Sequence, residues 1–205
     1  MKIAVVDYGL ANIRSVVNAL NCFDVETYVA STGEALKNAD KILLPGVGAF
    51  NAGMQGLRER GHVDMLNDLV LHEKKPCLGI CLGFQFLFEG SEEGSELGLG
   101  WIKGKVRCFN RSSIKVPHIG WNELQINPKS RLLKGLESPV DVYFVHSYYA
   151  PSEGEAFETA SAYCEYSVKY VVAVEKENIF GVQFHPEKSQ LTGMKILENF
   201  IFYEN

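Results

Sequence analysis

The chain has 205 residues, 46% of them hydrophobic and 22% charged, with a net charge of -5. That is enough length and apolar content for one domain with its own core, needing no disulfide or metal support, and the acidic balance without a basic run excludes a general nucleic-acid binder. The five cysteines (22, 77, 81, 108, 164) are an odd number, with no C-x-x-C pair and no histidine at ligand spacing, which excludes a disulfide framework and a zinc site.

Residues 2–7 read as a buried strand whose apolar run stops at Asp7, too early for a signal peptide or a membrane span, so a cytoplasmic protein is expected. Residues 11–20 carry apolar side chains at 13, 16, 17 and 20, one face of a helix. Residues 25–30 form a second strand pattern, Ser31-Thr32-Gly33-Glu34 reads as a capped helix start, and residues 41–44 form a third strand. Alternating strand and helix implies a parallel sheet. After Pro45-Gly46-Val47-Gly48, residues 50–60 and 62–73 read as helices, residues 77–80 as a strand buried on both faces, and residues 82–88 as the start of a helix.

Beyond residue 97 the texture changes. Short runs at 106–110, 121–125, 140–145, 168–175 and 179–183 are strand-like, with no long helical period between them, so this half is expected to be antiparallel β. Residues 189–202 return to helix, with Met194, Leu197 and Ile201 on one face. No linker divides the halves. The expectation is one α/β domain over residues 1–205, with a central, mostly parallel sheet flanked by helices and an antiparallel β-rich second half.

The chemistry centres on Gly79-Ile80-Cys81-Leu82-Gly83, a G-x-C-x-G counterpart of the nucleophile elbow, with Cys81 on the strand-to-helix corner. A thiol there faces unpaired N–H groups and the positive end of a helix, both of which favour thiolate. A thiolate needs a base and a group to orient it. His62 and His72 belong to a charged helical stretch and read as surface residues, whereas His118 and His146 fall in loop-like segments and stay open as candidates. His185 ends a buried run, and Glu187 two places on projects the same way if the chain stays extended through Pro186. Such a carboxylate would hold the imidazole and stabilise its protonated form. Val47, between two glycines at the end of a parallel strand, supplies an N–H that could join that of Leu82 against a negative oxygen.

With the elbow, the Pro-Gly-Val-Gly loop and Phe184-His185-Pro186-Glu187 in hand, the chain closely resembles the class I (triad) glutamine amidotransferases. Within them, Asp7-Tyr8-Gly9 with Asn12, the run from Pro117 to Asn122, the run from Phe144 to Tyr148 and the run from Gly181 to Ser189 are similar to the HisH-type glutaminase subunits of imidazole glycerol phosphate synthases. The resemblance covers essentially the whole chain, with no added synthase domain. It implies the flavodoxin-like fold of class I amidotransferases and hydrolysis of glutamine to glutamate and ammonia through a cysteinyl thioester, without cofactor or metal.

Position by position, the resemblance implies Cys81 as nucleophile, His185 as base and acid, and Glu187 as orienting carboxylate. It implies Gly46, Gln85, Glu93, Ser147 and Tyr148 as contacts to glutamine and Val47 and Leu82 as oxyanion positions. Asn12, Trp121, Tyr143 and Lys188 are implied near the partner, a (β/α)₈-barrel cyclase subunit, HisF, that uses the ammonia to make imidazole glycerol phosphate and AICAR in histidine biosynthesis. Phe84 stands where the family usually has methionine. A glutaminase feeding a surface-polysaccharide sugar-aminating synthase, and a γ-glutamyl hydrolase of the same fold, remain alternatives.

Overall fold

The computed structural model describes residues 1–10, 12–137 and 139–204. The chain opens with β1 (Lys2–Val6), α1 (Ile13–Leu20) and β2 (Glu26–Ala30), then a 3-10 turn (Gly33–Asn38) and β3 (Lys41–Leu44). The expected helix start at Ala11 lies outside the described residues. There follow α2 (Phe50–Glu59), α3 (His62–Asn67) running into a π turn (Asp68–His72), β4 (Cys77–Ile80), α4 (Leu82–Phe86), β5 (Phe88–Ser91) and β6 (Ile102–Cys108). The remainder is β7 (His118–Glu123), β8 (Gln125–Ile126), β9 (Asp141–His146), β10 (Tyr148–Pro151), α5 (Gly154–Glu158), β11 (Ala160–Tyr166), β12 (Val168–Lys176), β13 (Ile179–Val182) and α6 (Gln190–Ile201).

The main sheet runs in the order β2-β1-β3-β4-β13-β12-β10-β6-β5, with β11 on β12 and β8 on β11, while β7 and β9 form a separate antiparallel ribbon. Strands β2, β1, β3, β4 and β13 are mutually parallel, the doubly wound flavodoxin-like order. Because side chains alternate across a strand, each buried strand feeds two cores. Ala4, Val6, Ile42, Leu44 and Cys77 pack with α2, α3 and α4 through Phe50, Met54, Leu66 and Phe86. Ile3, Val5, Leu43, Leu78 and Ile80 pack with α1 and α6 through Val16, Leu20, Leu197 and Phe200. The far end of α6 is tied down by the buried Lys41, whose Nζ donates to the Phe200 carbonyl (3.0 Å) and to that of Tyr203.

Three local expectations are corrected. The segment after Thr32 is a 3-10 turn with no side-chain cap, and the Gly33 N–H bonds instead to the Arg60 carbonyl, so tertiary packing replaces capping. The helix after the elbow stops at Phe86 rather than running to residue 88. Residues 99, 100 and 102 donate their N–H groups to the carbonyls of Phe86, Phe88 and Leu87, and the chain turns into β5. At five residues this helix sums few peptide dipoles, so its field on Cys81 is weaker than a full-length helix would supply. Finally, the second half is not wholly antiparallel: β5 pairs parallel with β6, and β13 inserts beside β4 in parallel register, Gly181 opposite Gly79 and Val182 opposite Ile80. Strands β10 and β11 and helix α5 are additions that no long periodic run announces.

Among the described residues, no helix is long and apolar enough to cross a membrane.

Candidate active site

The insertion of β13 decides the site, because β4 and β13 end side by side at the same edge and the residues that follow them emerge together. The Cys81 N–H donates to the Val182 carbonyl at 2.8 Å, fastening the two strand ends. Cys81 itself carries the strain, with φ 55 and ψ -103, a conformation L residues rarely adopt. The flanking glycines serve close packing instead: a Cβ on Gly83 would lie 1.8 Å from the Leu44 carbonyl oxygen, and one on Gly79 would lie 2.6 Å from the Gly83 oxygen. Phe84 is fully buried behind the elbow, edge-on to Phe88, and fits because Gly181 opposite it has no side chain.

His185 leaves β13 in extended conformation (φ -103, ψ 94), but residues Pro186–Lys188 form a 3-10 turn, so the turn rather than a continued strand brings Glu187 back. His185 Nδ1–H donates to Glu187 Oε1 at 2.8 Å, with both side chains 2% exposed. The bond fixes the tautomer and leaves Nε2 buried without a settled partner. Burial by itself lowers the pKa of His185. The charge of nearby Cys81, and then Glu187, outweigh that and carry it up to about 10, so the ring is imidazolium at neutral pH.

A cavity of about 370 Å³ opens over this pair. It is lined by Cys81 and His185 together with Val47, Leu82, Gln85, Glu93, Ser147 and Tyr148. Every predicted substrate-contact residue except Gly46 is on its wall, and Gly46 is buried directly behind, its carbonyl accepting from the Leu82 N–H at 3.5 Å. Glu93 is held by the Phe50 N–H at the start of α2 (2.9 Å). Gln183 joins the site without any role having been expected of it. It is fully buried, its Oε1 accepts from Gln85 Nε2 at 3.0 Å, and its Nε2 donates toward Cys81 Sγ at 3.8 Å. A glutamine inside an apolar strand run is the signal that could have marked it.

Two histidine expectations change. His62 is fully buried, not a surface residue, because α3 packs on the 3-10 turn, and its Nε2 meets the Asp7 carbonyl at 3.0 Å. His118 and His146 stand on β7 and β9, not in loops, and face each other (3.2 Å) with Tyr170 between them (3.1 and 3.3 Å). His146 Nδ1–H donates to the Tyr148 carbonyl at 2.7 Å, so its Nε2 is the acceptor within the cluster.

Burial lowers His118 to about 4 and His146 to about 3. Unfolded histidine titrates near 6.5, so below that pH the unfolded chain binds protons that the native cluster refuses, and stability falls as pH drops. His185 works in the opposite sense, its stabilisation being complete below 6.5, but it offsets only part of the loss. The expected result is a net loss of about 2–3 kcal/mol between pH 7 and pH 5 in chemical denaturation. A midpoint unchanged over that range would show the pair is not held neutral.

Three of the four predicted partner-facing residues meet. Trp121 and Tyr143 pair across the β7–β9 ribbon with rings 6.0 Å apart, and Lys188 Nζ lies 5.8 Å above the Tyr143 ring. Alternation along β7 turns Ile119 and Trp121 outward, 56% and 48% exposed, while His118 points in. Asn12 is at the start of α1, where its Oδ1 accepts from the Ser15 hydroxyl, and no contact joins it to the other three. The ribbon also borders the cavity, since the Val145 carbonyl is 3.9 Å from Cys81 Sγ.

The sequence matches the family model described as glutamine amidotransferase class-I over residues 4–203. It is 44% identical over 201 residues to imidazole glycerol phosphate synthase subunit HisH 2 of Pseudomonas aeruginosa, covering 97% of this chain and 98% of that protein. It is 45% identical over 201 residues, with the same coverages, to subunit HisH 1 of Campylobacter jejuni. A solved glutamine amidotransferase superimposes with a TM-score of 0.75 at 18% identity, covering 97% of this chain and 96% of the other. PurLQS from Thermotoga maritima gives 0.74 at 21%, covering 98% and 97%.

Proposed function

Because the chain belongs to the class-I glutamine amidotransferase family, we propose that it is the glutaminase subunit of an imidazole glycerol phosphate synthase, delivering ammonia to a separate cyclase subunit, HisF, in histidine biosynthesis. The observation that carries the chemistry is the His185–Glu187 bond of 2.8 Å beside a strained Cys81 in one cavity. The near-full-length likeness to HisH subunits supports the pathway.

In this mechanism the Cys81 sulfur attacks the side-chain carbonyl carbon of glutamine, and the resulting oxyanion is held by backbone N–H groups of Val47 and Leu82. The imidazolium of His185 passes its Nε2 proton to the departing nitrogen, so ammonia leaves and a thioester remains. Neutral His185 then takes a proton from water, hydroxide adds to the thioester, and collapse releases glutamate and the sulfur. Glu187 keeps Nδ1 protonated throughout and stabilises the charged ring. Free ammonia in neutral water is mostly ammonium and no nucleophile, which is why delivery to a docked partner makes chemical sense. The outward face of the ribbon, with Trp121, Tyr143 and Lys188, is the surface assigned to that partner, and Asn12 at the start of α1 is assigned to it as well. The residues that do this work sit in the one α/β unit proposed for the whole chain, at a cytoplasmic address.

Glu93 puts a carboxylate on the cavity wall, the charge an α-ammonium group needs. Glu93→Gln is expected to raise the KM for glutamine roughly tenfold with kcat nearly unchanged, since that interaction is made equally before and during reaction. An unchanged KM would remove Glu93 from the binding site. The deciding experiment for the function as a whole is a glutaminase assay with and without the cyclase subunit and its nucleotide substrate. A second reading has the chain supply its ammonia to a different synthase, one that aminates surface-polysaccharide sugars. Co-purification of a different synthase would select it.

A further inference from the structure

We propose that His146 is a positioning residue for glutamine binding: its Nδ1–H clamps the Tyr148 carbonyl, and the buried pair of His118 and Tyr170 holds its ring in that role. This rests on Gln85, Ser147 and Tyr148 being contacts to glutamine.

Ser147 is the single residue between β9, which belongs to the ribbon, and β10, which belongs to the main sheet. The chain therefore changes sheets on the wall of the cavity, and two hydrogen bonds fix the corner. The Ser147 carbonyl accepts from the Phe109 N–H at 3.1 Å, and the Tyr148 carbonyl accepts from His146 Nδ1–H at 2.7 Å. Gln85 Nε2 reaches the same Tyr148 carbonyl at 3.4 Å, so His146, Gln85 and Tyr148, all lining the cavity, meet at one oxygen.

The protons of the cluster can be placed one by one. Two backbone groups orient the Asn122 amide: Nδ2–H donates to the Glu165 carbonyl (3.1 Å), and Oδ1 accepts the Glu123 N–H (2.8 Å). Nδ2 also faces His118 Nε2 at 3.4 Å, which makes that nitrogen an acceptor and puts the His118 proton on Nδ1. His118 Nδ1 and the Tyr170 hydroxyl both lie within reach of His146 Nε2, at 3.2 and 3.3 Å. Nε2 is thus supplied with donors, and the one proton of His146 stays on Nδ1, aimed at Tyr148. Imidazole suits this place because it accepts on one edge and donates on the other.

Packing holds the rings in register. His118 stacks on Tyr166 (4.0 Å) and on Phe144 (4.9 Å), and Phe109 lies 5.4 Å from both His146 and Tyr170. Burial keeps His146 neutral, so it adds no second positive charge near the imidazolium of His185. With both edges engaged, His146 is no rival base for Cys81. Its bond instead orders the corner before glutamine arrives, so binding does not have to supply that ordering. A contribution made equally before and during reaction appears in KM and leaves kcat.

The test compares two variants in the complex with the cyclase subunit. His146→Leu removes the N–H, whereas His146→Asn keeps one close to the place of Nδ1–H. The KM for glutamine is expected to rise about tenfold in the leucine variant, with kcat within about twofold, and to return to within about threefold of wild type in the asparagine variant. Both variants lose the ring and its packing, so the N–H is what separates them. Synthase activity on supplied ammonia checks that each is folded and docked, and His146→Met makes the same comparison where leucine does not fold. Equal KM values in the two variants, raised or not, would overturn the proposal, as would a fall in kcat with KM unchanged. An unchanged KM in Gln85→Leu would instead remove the underlying assignment of the glutamine contacts.

Discussion

Cys81→Ala is expected to lower glutamine hydrolysis by about 10⁴-fold or more, while the assembled synthase still works on supplied ammonia. No neighbouring group can substitute: Gln183 is an amide, and the imidazole of His185 is committed to Glu187. The fold should tolerate the change, because alanine is small and meets the same backbone demand at φ 55 that cysteine already meets. Ammonia-supported turnover in the same preparation checks that the protein is intact. A variant that retained glutaminase would dismiss Cys81 as nucleophile and leave the strain at the elbow without a purpose.

The isolated chain is expected to hydrolyse glutamine slowly, and docking of the cyclase subunit with its ligand to accelerate it by at least about 10²-fold. A single oxyanion donor is worth on the order of 10²–10³ in rate, and in the resting geometry the Leu82 N–H is engaged by the Gly46 carbonyl. The partner need not touch the nucleophile to matter. The ribbon that presents Trp121 and Tyr143 outward also carries Val145, whose carbonyl is next to the Cys81 sulfur. Steady-state glutaminase rates of the chain alone, the chain with the cyclase, and the chain with the cyclase and nucleotide decide this. Full activity in the single chain would mean that the oxyanion site needs no completion.

Much of the first half was legible because its signals are local. Residues 41–44 and 77–80 are short apolar runs bounded by polar or glycine-rich turns, and both are strands with those bounds. The corner at Cys81 was readable for the same reason. The misreadings concern residues whose state depends on partners distant in sequence. His62 looks like any polar residue at a helix start, and only the packing of α3 on the 3-10 turn buries it. His118 and His146 fall just outside the runs 121–125 and 140–145 that read as strands, and pairing with each other across the ribbon makes them its ends. The glycines at 79 and 83 were readable as a motif, but not their reason, which is contact with the chain of β3 and within the elbow rather than backbone freedom.

By itself the sequence determined which residue types are available for the chemistry: a cysteine on a glycine-flanked corner, a His-Pro-Glu turn after a buried run, and a Pro-Gly-Val-Gly loop. Nothing in their spacing could bring positions 81 and 185 together. That was decided by β13 choosing β4 as its parallel neighbour, a pairing made of backbone hydrogen bonds that every residue offers alike and that leaves no mark in side-chain pattern. The same is true of the Pro-Gly-Val-Gly loop. Its glycines leave the peptides free to rotate, and the Leu82 N–H meets the Gly46 carbonyl only in the folded chain.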